Sequence, residues 1–305
     1  MKKILLSLLL IITIVCFISY KSNASIKKQV KEEEKAQVIV LAGGENMVGY
    51  SYSYHLYEQD PRTKVKKEKY EEFKNGYDNV KILYKNMTST SSVNNHSDVF
   101  INAKIGLGKY ADENYLEGCF GPELGLAELL SYYYPTKTTY IIKYSGSGHA
   151  SLLDEYKPQT GLYYKGLVDL VNTGLEMLDA QNVKYEISAL CFAQGEWDAY
   201  NQNTVYMQAL SNFVSSFRSL YSDKASSKGI AFIDSGVSAF YTDYKVINNI
   251  KYQYSLLESD NYYIDTIKEN LTYNLDSTDR KHWDSYSTLL LGKYFGQKIL
   301  EAYKK

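Results

Sequence analysis

Gln37-Val38-Ile39-Val40-Leu41-Ala42 runs into Gly43-Gly44-Glu45-Asn46, so an apolar, β-branched stretch ends in two glycines, a carboxylate and an amide. Such a stretch reads as a buried strand that breaks into a tight turn and presents polar side chains at its carboxyl end. In open α/β sheets that end is where ligands bind, which makes Glu45 a candidate site residue. A second stretch is Asp279-Arg280-Lys281-His282-Trp283. An aspartate three residues before a histidine can hydrogen-bond one ring nitrogen, fix the tautomer and leave the other nitrogen to act as a general base. Asp-x-x-His is common by itself; its place just before the last amphipathic segment, in a chain that also has the Glu45 turn, gives it weight. The four histidines, His55, His96, His149 and His282, have no metal-ligand spacing and no cysteine cluster beside them. Neither a metal nor a cofactor is expected.

Alternating strand and helix patterns must position these groups. Apolar runs at Val38–Ala42, Val80–Tyr84, Thr138–Tyr144, Tyr185–Phe192 and Ile230–Ile233 predict strands. Apolar spacings of three and four predict helices over Leu162–Leu178, Val205–Tyr221 and Ser285–Tyr303, and Gly121-Pro122 opens another over Glu123–Tyr134. Strands alternating with helices pair in parallel through right-handed crossovers, which predicts a three-layer α/β/α sandwich with a central parallel sheet. Residues 50–116 are less regular, rich in Lys, Asn, Ser and Thr, and read as a long insertion over the first strand's carboxyl end.

The beginning of the chain reads as a targeting segment. Met1-Lys2-Lys3 is basic, residues 4–20 are apolar apart from scattered hydroxyls, and Ser22-Asn23-Ala24 supplies small residues for cleavage after Ala24. Residues 1–24 are thus expected to be a signal peptide, or alternatively an uncleaved membrane anchor, since the apolar run is only slightly short of a span. Cys16 follows Ile14-Val15, a poor lipoprotein site. Residues 25–36 read as a charged, solvated spacer and 37–305 as one α/β domain, secreted or held at the cell surface. A net charge of −1, with no basic run beyond Lys64–Lys69, argues against a nucleic-acid partner. Cys119 and Cys191 remain after export, and spacing alone leaves open whether they pair. The 32 tyrosines suit sugar-facing surfaces, although biased codon usage gives the same enrichment.

Five segments in order give a resemblance. Ala42-Gly43-Gly44-Glu45-Asn46-Met47-Val48-Gly49, Gly121-Pro122-Glu123, Lys143 with the Ser145-Gly146-Ser147-Gly148 loop, Gln194-Gly195-Glu196-Trp197-Asp198, and Asp279 with His282, Ser287, Leu291 and Gly292 run from about residue 37 to 296. Together they resemble the motifs of the SGNH (GDSL-like) hydrolases in their carbohydrate-esterase branch, which includes sialate O-acetylesterases and acetylxylan esterases. The resemblance implies a flavodoxin-like α/β/α fold and a Ser-His-Asp ester hydrolase acting on an acetylated glycan or sugar. In that frame serine attacks the acetyl ester, His282 takes its proton and Asp279 steadies the imidazolium. Gly148 and Gln194 would complete an oxyanion hole, with a turn glycine and a strand-end amide as the plainer readings of the two. Glu196 and Asp198 are read as braces of the same loops, and Glu123 as a cap of its own helix.

One position departs from the pattern. Glu45 stands where the family's motif has its serine, and a carboxylate nucleophile would yield a mixed anhydride. Three readings follow: Glu45 pairs with His282 and the site is inert towards esters; Glu45 and His282 polarise a water for direct hydrolysis; or a nearby hydroxyl, Ser147 or Ser51, replaces the nucleophile. The expected function is an exported carbohydrate O-acetylesterase-like hydrolase domain. The alternative is a glycan-binding pseudoenzyme of the same fold.

Overall fold

The computed structural model describes residues 35–59, 62, 65–87, 95–109, 118–148, 150–273 and 281–304. The expected signal segment, almost all of the charged spacer, His149 and Asp279 lie outside the described residues. The first strand explains the architecture. Val38, Val40 and Ala42 face one apolar cluster, Ile39 and Leu41 face the other, and all five are fully buried. A strand covered on both faces reads as a continuous apolar run, with no alternation to polar residues.

In chain order the elements are β1 (Ala36–Gly43), a one-turn helix α1 (Glu45–Val48), β2 (Ser51–Tyr52), α2 (Lys67–Asn75), β3 (Tyr77–Met87), β4 (Ile101–Ala103) and β5 (Cys119–Phe120). They continue as α3 (Glu123–Tyr133), β6 (Thr139–Gly146), α4 (Leu162–Ala180), β7 (Tyr185–Ala193), α5 (Glu196–Tyr200) and α6 (Tyr206–Leu220). Last come β8 (Ala231–Ser235), α7 (Tyr244–Ser255), β9 (Asn261–Ile264) and α8 (Ser285–Lys304). Seven strands form one sheet in the order β4-β3-β6-β1-β7-β8-β9, parallel except for the edge strand β4. Helices α2, α3 and α8 supply the core on one face; α4, α6 and α7 supply it on the other. This is the expected α/β/α sandwich, with one antiparallel edge strand added.

The chain moves outwards from β1 to β3, returns through β6, and then crosses to β7 on the other side. The carboxyl end of β1 is therefore a topological switch point, where diverging loops leave a crevice. The loops after β1, β6 and β7 hold Glu45, Gly148 and Gln194, so adjacent strands deliver three of the sequence-predicted residues to one edge of the sheet.

Residues 50–116 correct an expectation. Their described part contains α2, β3 and β4, and the eleven-residue β3 pairs along β6, so residues 67–87 and 101–103 build one flank of the sheet, while Tyr50 lies at the site. Cys119 and Cys191 are separate buried thiols, on β5 and on the central strand β7.

Helices α3 and α8 approach closely through two glycines. A Cβ on Gly125 would lie 2.0 Å from the Leu289 carbonyl oxygen, and one on Gly292 would lie 2.0 Å from the Pro122 carbonyl oxygen. Both clashes are with backbone, which cannot rotate away, so the Leu291-Gly292 pair is a packing requirement of the last helix. Gly292→Ala is expected to destabilise the fold by about 1–3 kcal/mol through overpacking. Urea unfolding would register this as a lower midpoint with an unchanged slope.

Candidate active site

The turn after β1 is dictated by a close approach of two strand ends. The Gly44 N–H donates to the Ala193 carbonyl at 2.8 Å, and a Cβ on Gly43 would fall 2.1 Å from the same oxygen. Only glycine fits there, and the tight turn places Glu45 at the first position of α1. From below, the buried Lys143 ammonium donates to the Val48 carbonyl at 2.9 Å and to Glu123 at 2.8 Å, fixing the end of α1. Glu123 also accepts the Gly121 N–H at 2.8 Å, just ahead of its own helix.

Glu45 meets residues from the loop after β6 and from the segment before α8. Its Oε2 lies 2.9 Å from His282 Nε2, and its Oε1 accepts the Gly148 N–H at 3.2 Å and the Tyr50 hydroxyl at 3.3 Å. Gly148 has φ +86 with open space where a Cβ would be, a left-handed geometry that turns its N–H towards the carboxylate. The Tyr50 ring stacks on the His282 ring, with centroids 3.9 Å apart, and Lys109 Nζ lies 4.2 Å from the other ring system's centre at Tyr50. The imidazole is thus fixed by contacts on its face and at Nε2.

Asn46 locks this arrangement. Its amide nitrogen donates to Glu196 Oε1 at 2.8 Å, and its oxygen accepts the Trp283 N–H at 3.0 Å. One side chain thereby ties α1 to the loop after β7 and to the backbone that carries His282. Burial alone would push the Glu45 carboxyl up, but the hydrogen bond and charge of His282, the Gly148 N–H and the Tyr50 hydroxyl outweigh it and hold the group below its ordinary 4.5. Half-buried Glu196 goes the other way: desolvation raises it against the pull of the Asn46 amide, and the Glu45 charge adds to the rise. The two neighbouring carboxylates are pushed apart in acidity, Glu45 downwards and Glu196 upwards.

Gln194 behaves differently from the expectation of an oxyanion donor. It is buried, its amide nitrogen donates to the Ala150 carbonyl at 2.7 Å and to Asp198, and its oxygen accepts the Tyr206 hydroxyl at 3.0 Å. An amide has two hydrogens, and both are used inside the protein. Asp198 completes the brace by accepting the Leu152 N–H at 2.9 Å and the Asn203 amide at 2.6 Å. The substitute hydroxyls fare no better. Ser51 Oγ is buried against the Trp283 carbonyl at 3.0 Å and Thr288 at 2.6 Å. Ser147 is buried and is not among the residues that line the cleft.

The cleft itself has a volume of about 620 Å³ and is lined by Gly44, Glu45, Gly148 and Ala150 at one part and by Glu196, Trp197, Tyr200, Phe240 and Lys281 elsewhere. That volume suits a small-molecule ligand larger than an acetyl group. Residues 35–301 match the family model for carbohydrate esterases of the sialic acid-specific acetylesterase type. The chain belongs to that family. No curated protein matches it. Among solved structures, an Arabidopsis thaliana protein is 14% identical with a TM-score of 0.59, covering 88% of this chain and 99% of its own. NanS is 12% identical with a TM-score of 0.60, over 88% and 98%. A carbohydrate acetylesterase from Xanthomonas citri is 12% identical with a TM-score of 0.54, over 88% of this chain and 57% of that one. These likenesses show a shared fold.

Within this family member the structure brings together Glu45, Gly148 and His282, and it turns Gln194 inward. Sequence reasoning gave no role to Asn46 or Tyr50, although Asn46 adjoins Glu45 and Tyr50 lies one helical turn beyond it. A carboxylate held below its unfolded value stabilises the fold above about pH 4.5, and that contribution is lost as pH falls through the folded value. Glu45→Gln should therefore flatten the loss of stability between about pH 5 and 3 relative to wild type, as read by thermal melts across that range.

Proposed function

We propose that this protein is an exported carbohydrate-binding member of the acetylesterase family, whose cleft takes an O-acetylated sugar and in which Glu45 holds the place of the nucleophilic serine. The observation that carries the reading is the 2.9 Å contact between Glu45 and His282. In the esterase frame His282 would accept a proton from a serine hydroxyl; here it faces a carboxylate with no proton to give. The Gly148 N–H, which the frame would aim at a developing oxyanion, already serves Glu45 at 3.2 Å. The carboxylate thus occupies the donor that a reacting acyl oxygen would need, which supports ligand recognition without an acyl-enzyme. Export is supported by the reading of residues 1–24 as a signal peptide or anchor.

One observation favours a second reading. Glu45 is held ionised, lines the cleft and keeps 28% of its side chain exposed, so a water can reach it. With His282 it would take a proton from that water while the water's oxygen attacks the acetyl carbon. The bond to the sugar oxygen then breaks, and the proton passes to that oxygen as acetic acid leaves.

Turnover of p-nitrophenyl acetate and of an O-acetylated sugar separates the two. The binding reading expects wild type to bind the sugar by calorimetry and to be inert, with Glu45→Ser gaining activity that the added change His282→Ala removes. Wild-type turnover abolished by both Glu45→Gln and His282→Ala would establish the water route instead.

A further inference from the structure

Helix α5 sits beside the Glu45 turn and carries a surface that no step above uses. Trp197 and Tyr200 are three residues apart, so they share one face of the helix, and their rings stack with centroids 5.5 Å apart and planes at 27°. Both line the same cleft as Glu45. Tyr200 is 66% exposed and Phe240, a further lining residue, is 43% exposed. Large aromatics left at the surface of a cleft, one stacked on the other, hold each other's orientation and present an outer ring face of the kind that ligands with one apolar and one polar side use. Glu196, one residue before Trp197, brings a carboxylate to that face with one oxygen anchored on Asn46 at 2.8 Å.

We propose that Trp197 and Tyr200 form a sugar-stacking platform that holds the pyranose ring of the ligand while its acetyl group points towards Glu45 and Gly148. The proposal rests on the carbohydrate-binding reading of the cleft. A pyranose offers axial C–H bonds on one face and hydroxyls around its rim, so the aromatic pair takes the face and Glu196 accepts from a rim hydroxyl. The chemistry calls for an uncharged ring face, not for a particular sugar, and the roughly 620 Å³ of the cleft leaves room for ring and acetyl group together. Trp197 and Tyr200 would then set affinity and ring selectivity, and Glu45 with His282 would act only at the acetyl end.

The chain has two tryptophans, Trp197 and the buried Trp283, so Trp197→Phe leaves Trp283 as the reference emitter and the difference between the two proteins reports Trp197. The probes are O-acetylated N-acetylneuraminic acid and acetylated xylo-oligosaccharide, each titrated into the full-length protein. Binding of either is expected to shift or quench the emission, and Trp197→Phe is expected to remove that signal. Trp197→Ala and Tyr200→Ala should each weaken calorimetric affinity about ten-fold with circular dichroism and melting temperature unchanged. Wild-type binding with both alanine variants within two-fold of it would overturn the platform and leave the carbohydrate reading standing. No binding of either probe by wild type would overturn both.

Discussion

The site hangs on one side chain, Asn46, whose two amide ends bond groups from different parts of the chain. One end reaches Glu196 after β7 and the other the Trp283 backbone before α8, at 2.8 and 3.0 Å. Together with Ser51 on the Trp283 carbonyl and the Tyr50 ring on the imidazole, that bridge holds His282 opposite Glu45, although the two are 237 residues apart in sequence. The bridge is worth more than an exposed hydrogen bond, since Asn46 is buried and an unpaired amide there would bear the whole desolvation penalty. The carboxylate–imidazole contact is a consequence of this scaffold, and so is the downward shift of Glu45.

Two buried lysines repeat the principle on a larger scale. Lys143 has three acceptors, the Val48 and Leu107 carbonyls and Glu123; Lys251 has Asp234 at 2.7 Å, the Ser235 carbonyl at 2.8 Å and the Gln194 carbonyl. An ammonium has three hydrogens, so each lysine is saturated. Desolvation still pulls the Lys143 amine down, and it pushes Asp234 up to about 6 despite the Lys251 partner. Buried pairs of this kind add little net stability, but removing one partner is costly. Their effect here is geometric: one lysine pins the end of α1 and the other pins the loop after β7, the two segments between which the cleft opens.

The sequence was most legible where burial is two-sided. Val38–Ala42 and Tyr185–Phe192 read as strands because both faces of the central sheet demand apolar residues, and the structure extends them only to Ala36–Gly43 and Tyr185–Ala193. The short edge elements left no such trace. Ile101–Ala103 has three residues and Asn261–Ile264 four, each too brief to set a period, and α2 and α7 present too much polar surface to stand out. The Gly43-Gly44 turn was legible as a break, while the reason for it, the Ala193 carbonyl 2.1 Å from a Cβ on Gly43, belongs to a strand far away in sequence.

The sequence by itself determined the order of strands and helices, the turn that carries Glu45, and the motif order shared with the family, because these are local patterns of burial and backbone freedom. The tertiary structure decided how those residues are used. Gln194 turns inward because Ala150, Asp198 and Tyr206 converge on its amide, and no spacing in the chain encodes that convergence. Glu45 faces His282, Gly148 and Tyr50 because neighbouring parallel strands and the last helix deliver them to the same edge of the sheet. Hydrogen-bond satisfaction in a buried site is a property of the assembled neighbourhood, so it was settled only when the chain had folded.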